Sequence, residues 1–267
     1  MTDTYEVYAI KYAERVGLRG ENFVYRDQHD QPMPMDYYVW AIVGKDRAFV
    51  LDLGFDAEEA KRRGRTHLRC PGDAVALIGL DAAKVEQVIV SHMHYDHCGN
   101  LGRFPNARFW IQDREMAYAT GRFMTHGALR VAFSVDYVCD LVEAVHDGRC
   151  KFVDGDSEVA PGISVHHVGG HTDGLQVVRV WTRRGWMVLA SDASHFYANM
   201  NKANPFPIVF NVAHMMNGYD RLRELADGPD HIIPGHDPLV LARYPSPSPE
   251  LKGIVARLDA EPTAPLS

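Results

Sequence analysis

The stretch Ser91-His92-Met93-His94-Tyr95-Asp96-His97-Cys98-Gly99 places three imidazoles and a carboxylate side by side. Residues 84–91 run straight into it. Their second half is continuously apolar, as in a buried central strand. His92 and His94 are two apart, so in an extended segment they point the same way. Two adjacent nitrogen donors on one side suit a single tetrahedral ion. Asp96 and His97 follow where the chain turns into Gly99-Asn100, and are free to aim elsewhere. The chain holds 14 histidines in 267 residues, an unusually high count. Neutral imidazole is the commonest protein metal ligand.

Three more positions extend the set. His171 lies in Gly169-Gly170-His171-Thr172, Asp192 in Ala190-Ser191-Asp192-Ala193, and His236 in Pro234-Gly235-His236-Asp237. Each follows a segment that reads as a strand (163–168, 186–191 and 231–233). Each is flanked by small or turn-forming residues. Alone, each is a weak signal; beside HxHxDH they complete a plausible site. His166 and His167 occupy opposite faces of a strand, so both cannot serve one ion. Cys98 reads as a small packed residue.

Further out, residues 36–44 and 47–53 read as an antiparallel hairpin, and 56–64 and 73–80 as short helices. Residue 107 opens a further strand, and 113–145 reads as a helical insertion in a single domain spanning 1–267. Strands resume at 150–153, 163–168, 175–181 and 186–191. Residues 212–226 have helical spacing of apolar side chains, and 251–258 read as a last helix. Strands followed by helix, twice over, suggest an α/β fold of αββα type: two mixed sheets face to face with helices outside.

Composition sets limits. The apolar share is 46% and the charged share 24%, which excludes a disordered or collagen-like chain. A net charge of −7 argues against a nucleic-acid partner. The first residues lack the pattern of a secretory signal, and no apolar run is long enough to span a membrane. Cys70, Cys98, Cys139 and Cys150 form no CxxC pair. Free thiols in a reducing cytoplasm are the expected state.

These motifs resemble the metallo-β-lactamase superfamily of binuclear hydrolases. HMHYDH at 92–97, GGHT at 169–172, SDA at 191–193 and PGHD at 234–237 carry the likeness, which begins at LDLG, 51–54. Within the superfamily the chain is similar to the N-acyl-homoserine lactonase branch, which includes 4-pyridoxolactonase-like enzymes. The resemblance implies one ion on His92, His94 and His171, and a second on Asp96, His97 and His236. It implies that Asp192 bridges both, together with a water or hydroxide. Zinc is the metal expected for such N/O ligands, with manganese, cobalt and iron as alternatives. The implied reaction is attack of the bridging hydroxide on the ring carbonyl of a small lactone, with Asp96 and Asp192 at the centre of the catalytic site. A homodimer is implied by the resemblance alone.

One departure bears on substrate. Many acyl-homoserine lactonases carry a tyrosine three residues after the bridging aspartate. Here that position is His195, and Tyr197 comes two residues later. Either is a candidate to assist the carbonyl or the leaving group. Competing chemistries are a thioester hydrolase of the hydroxyacylglutathione type and a mononuclear iron persulfide dioxygenase. The region after His236 is short and proline-rich, unlike the longer helical end of the thioester enzymes. Diiron reductases of this fold carry glutamate where His94 stands. No GxSxG elbow suggests a serine nucleophile.

Overall fold

The computed structural model describes residues 4–26 and 31–265. Strand β1 (Glu6–Arg15) shows why the chain layers as it does. Val7 and Ala9 point into one apolar core, while Tyr8, Ile10 and Tyr12 point into another. In β2 (Met35–Val43), Tyr38, Trp40 and Ile42 join the first core, and Tyr37, Val39 and Ala41 the second. Side chains alternate with period two, and both faces are buried.

β3 (Ala48–Leu51), β4 (Thr66–His67), β5 (Gln87–Ile89), β6 (Arg108–Gln112) and β7 (Cys150–Val153) extend this sheet. A second sheet is built from β8 (Ser157–Ala160), β9 (Ile163–His167), β10 (Gln176–Thr182), β11 (Gly185–Ser191) and β12 (Ile232–Pro234). The last strand, β13 (Val255–Arg257), returns to the first sheet. That sheet has eight strands, in the order β13-β1-β2-β3-β5-β6-β7 with β4 attached to β1. The second has five, in the order β12-β11-β10-β9-β8. Both are mixed: β3, β5, β6 and β7 pair in parallel, β1 with β2 antiparallel; β11 with β12 is parallel, β10 with β11 antiparallel.

The inter-sheet core joins Val7, Trp40, Phe49 and Ile89 to Val165, Val177, Val188 and Ile233. Fully burying one such aliphatic side chain contributes about 1.5–3 kcal/mol. The helix Val212–Leu225 brings Met215, Tyr219 and Leu222 to the same core from the second sheet's side. Helices Ala57–Arg63 and Val135–His146 cover the other face of the first sheet through Ala60, Val138 and Leu141. This is the expected αββα sandwich. Residues 113–145 are helical as expected, in the pieces Asp113–Thr120, Arg122–Thr125, Gly127–Arg130 and Val135–His146. All four cysteines are free. Among the described residues no helix is long and apolar enough to cross a membrane.

The expected last helix at 251–258 is corrected. A short turn, Pro249–Leu251, leads instead into β13. Gly253 has φ of 76°, which stops a helix, and Ile10 pairs with Val255 and Tyr8 with Arg257. Satisfying the edge of β1 outweighs the helical propensity of a short segment.

Strand ends position the functional loops. β3 ends at Asp52, β5 at residues 91–99, β9 near His171, β11 at Asp192 and β12 at His236. Gly174, before β10, packs directly on the helix Asp113–Thr120: a Cβ there would lie 2.1 Å from the Glu115 amide nitrogen. Gly174→Ala must push the two segments apart. It is expected to cost about 3 kcal/mol, roughly 6–12 °C in Tm by thermal unfolding. An unchanged Tm would show that this contact does not matter.

Candidate metal centre

The loop after β5 aims four side chains inward. His92, His94, His171 and Asp192 each offer one ligand atom within 4.8 Å of the others, and so do Asp96, His97, Asp192 and His236. All seven residues are buried. Asp192 belongs to both groups, and its two oxygens divide between them. Oδ2 lies 3.7 Å from His92 Nε2 and 3.2 Å from His171 Nε2. Oδ1 lies 3.3 Å from His97 Nε2 and 2.9 Å from His236 Nε2. Asp96 Oδ2 stands 3.7 Å from both His97 Nε2 and His236 Nε2.

The outward nitrogens decide which way the lone pairs face. His171 Nδ1 donates to the Ile208 carbonyl at 2.7 Å, and His236 Nδ1 to the Asp36 carbonyl at 2.9 Å. His97 Nδ1 donates to Asp52 Oδ2 at 2.8 Å. A carbonyl or carboxylate oxygen only accepts, so the outer nitrogen carries a proton, and in the neutral imidazole the inner Nε2 presents a bare lone pair. Nε2 of His92, His97 and His236 and Oδ1 of Asp192 are buried without hydrogen-bond partners. Lone pairs converging in a dry volume repel unless a cation sits among them. The donor set fits two divalent ions, and the carbonyl and carboxylate partners are the outer contacts that orient ligand imidazoles.

The charges agree. Burial holds the His92 and His94 imidazoles well below their ordinary range. Burial acts on His97 and His236 too, but Asp192 and Asp96 outweigh it and hold both up. Burial would raise Asp192, yet His195, His97 and His236 pull it well below the usual carboxylate range. Protons compete here for the positions a metal would take.

A second ring of residues holds the loops. Asp52 adopts φ of 64° and accepts from Ser91 N at 2.7 Å and Ser91 Oγ at 2.8 Å, besides His97. Ser191, with φ of 44°, donates to Ser91 Oγ at 2.9 Å and so ties β11 to β5 across the two sheets. Such backbone strain marks functional turns. Gly235 is required for closeness: a Cβ there would lie 2.8 Å from Asp192 Oδ1. Glu115 carries no sequence signal, because its segment looks like an ordinary polar helix. It is fully buried and accepts from Met93 N at 2.8 Å, Thr172 Oγ1 at 2.6 Å and Gly174 N at 3.1 Å. One carboxylate thereby clamps the His92–His94 loop to the His171 loop.

The remaining candidates separate. His195 is at the site, its Nε2 2.6 Å from Asp192 Oδ2. Tyr197 is not: its ring packs in the inter-sheet core, 5.0 Å from the Arg243 guanidinium carbon. Tyr197 opens a short helix and is not among the residues that line the pocket, so the structure does not bring it to the ligand cluster. Cys98 is packing, its thiol on the Met93 carbonyl. His166 pairs with Asp156, and His167 bonds the Asp173 carbonyl. Above the centre opens a pocket of about 150 Å³. The insertion contributes Val131 and Ala132 to its wall, and the loop after Asp192 contributes Phe206 and Ile208.

Two facing mixed sheets with paired, adjacent His/Asp sites at their strand ends define a class of metal-dependent αββα proteins. The chain belongs to the metallo-beta-lactamase superfamily, whose model matches residues 33–236. The N-acyl homoserine lactonase AttM of Azorhizobium caulinodans is 28% identical over 172 residues, 61% of this chain and 62% of that protein. An N-acyl homoserine lactonase of a Bacillus species is 28% identical over 162 residues, 60% of this chain and 59% of that one. The chain thus spans about 60% of the length of these relatives. A solved quorum-quenching N-acyl homoserine lactone lactonase shares the fold, with a TM-score of 0.73 at 21% identity over 89% of this chain and 93% of that one.

Two measurements test the centre. Elemental analysis of the purified protein is expected to find about two divalent ions per chain, and Asp192→Ala to lose most of both. Full occupancy in Asp192→Ala would refute its place between two sites. Glu115→Gln turns an NH2 group towards a backbone or hydroxyl donor. It is expected to destabilise by about 2 kcal/mol in denaturant unfolding and to weaken metal retention against a chelator. Metal retention equal to the parent protein would make Glu115 a packing residue only.

Proposed function

We propose that the protein is a binuclear metal-dependent hydrolase that opens a small lactone ring. Asp192 carries the reading, since each of its oxygens faces a different histidine group. His92, His94 and His171 hold one ion, and Asp96, His97 and His236 the other. Zinc suits imidazole and carboxylate donors in this number. Bound there, the ions supply a Lewis acid for a carbonyl oxygen and lower the pKa of water towards neutrality. The likeness to N-acyl homoserine lactonases supports a lactone as the scissile group.

The protein's own residues orient and exclude. His195 donates from Nε2 to Asp192 Oδ2 at 2.6 Å. Burial pushes its imidazole down to about 4, against the opposing pull of the Asp192 carboxylate. The bond makes His195 a positioning residue for the carboxylate, and its ring also lines the pocket, where it stays a candidate to assist the carbonyl or the leaving group. Phe206 meets the His195 ring at 3.9 Å between centroids, and Phe133 meets His94 at 4.6 Å. These rings exclude bulk water from the donor atoms and keep the local dielectric low.

Ring opening adds one water across the ester C–O bond and releases a hydroxycarboxylate and a proton. A pH-indicator assay over γ-lactones, aromatic lactones and thioesters therefore reads the reaction directly. The expected result is lactone turnover that is lost on chelation and restored by zinc. Faster turnover of thioesters than of every lactone would reassign the substrate class. A reproducible single iron per chain would favour the dioxygenase chemistry.

A further inference from the structure

Three arginines line the pocket above the metal centre: Arg15, Arg63 and Arg65. Two are committed. The Arg63 guanidinium binds the Glu59 carboxylate and donates to the carbonyls of Val131 and Phe133 at 2.9 and 3.0 Å. It thus pins the insertion that forms the pocket wall. Arg15 donates to Asn22 Oδ1 at 3.1 Å and faces the Glu21 carboxylate at 3.8 Å.

Arg65 differs. It is half-buried, and its Nε donates to Tyr95 Oη at 3.2 Å. Among the described residues it forms no ion pair, and its two terminal nitrogens have no hydrogen-bond acceptor. The Tyr37 and Tyr95 phenols and the carboxylate of Asp96, a candidate metal ligand, act on it electrostatically. Tyr95 is held in turn by Tyr37, Oη to Oη at 3.2 Å, and its ring is covered by Arg63 at 3.8 Å. Arg65 is thus a pocket-lining guanidinium fixed through Nε on a rigid phenol, with its two terminal nitrogens unbonded among the described residues.

We infer that Arg65 is an anion-recognition residue, and that the substrate is a small ester or lactone bearing a carboxylate. The inference rests on the hydrolase reading of the same centre and names its substrate class. Two divalent ions outweigh the charges of Asp96 and Asp192, so the pocket is positive before Arg65 is counted. Burial works against the Arg65 charge, but the Tyr37 and Tyr95 phenols and Asp96 outweigh it and keep the guanidinium charged at the pocket wall. The planar fork matches a carboxylate with two parallel hydrogen bonds. Size agrees: about 150 Å³ is below the roughly 300–1,000 Å³ of pockets for drug-sized ligands. A neutral lactone with a long acyl chain uses neither the charge nor the space available.

The test compares 5-oxotetrahydrofuran-2-carboxylate with γ-valerolactone, in which a methyl group replaces the carboxylate. The readout is the ratio of the two kcat/KM values in the metal-loaded parent protein, Arg65→Met and Arg65→Lys. Comparing ratios cancels the intrinsic reactivity of the rings. Arg65→Met is expected to lower the ratio about tenfold or more, mainly through KM of the carboxylate substrate, and Arg65→Lys to lower it less. An equal ratio in the parent protein and Arg65→Met overturns the inference. A second arm does not need turnover: calorimetric binding of glutarate and butyrate to the metal-loaded proteins. The parent protein is expected to bind glutarate about tenfold more tightly than butyrate, and Arg65→Met to lose that preference. If no lactone is hydrolysed but this preference holds, the lactonase reading fails and the anion subsite stands. If lactones are hydrolysed and the preference is absent or survives Arg65→Met, the subsite fails alone.

Discussion

Asp192 is a buried carboxylate at the meeting of two sheets, and keeping it charged there constrains everything around it. Removing a carboxylate from water costs several kcal/mol even after relaxation. Among the described residues no lysine or arginine pairs with it; its ion-pair partners are imidazoles from four separate loops. His97, His171 and His236 each have the outer nitrogen tied to a carbonyl or carboxylate, so while neutral they carry no proton on the inner nitrogen. The compensating charge must come from protons or from metal ions. That single requirement explains why the loops end where they do, why Gly235 stands against the carboxylate, and why Asp52 and Ser191 tolerate left-handed backbone.

The second ring is built to the same demand. Ser91 and Ser191 meet through their hydroxyls, and both lie against Asp52, so the two sheets are stitched at the edge that carries the ligands. Glu115 adds a clamp from the insertion side. Because it is buried among three donors, its charge is shared by hydrogen bonds and not by a cation. The insertion therefore does more than wall the pocket: through Glu115 it ties two ligand-bearing loops together, and through Arg63 it is held to the first sheet's covering helix.

The parts legible in the sequence were those whose signal is local. HMHYDH concentrates four donors in one loop, and the turns around His171, Asp192 and His236 follow recognisable strands, so the αββα order and the clustering of these seven side chains could be read together. β1 escaped notice because both of its faces are buried; it lacks the apolar–polar alternation that marks a half-exposed strand. The segment 251–258 was misread because its pairing partner lies at the other end of the chain. Glu115, Arg65 and the rejection of Tyr197 were illegible for one reason. Each depends on which side chain faces which cavity, and no spacing rule reports that when the neighbours come from distant segments.

The charge of the whole chain and that of its pocket point in opposite directions, and this bears on how a small anion would arrive. A net charge of −7 repels an anion weakly at long range, where salt screens it within about 8 Å at physiological ionic strength. Inside the pocket, low-dielectric walls from Phe206, Ile208 and Val131 would leave the field of the proposed ions and of the lining arginines unscreened. The global charge therefore has little influence on capture, and the local field dominates once the ligand enters. A neutral substrate would feel neither. Arg65, held charged by the Tyr37 and Tyr95 phenols and by Asp96, lines that pocket with its terminal nitrogens unbonded among the described residues, so an anion entering there would find a guanidinium already fixed in place.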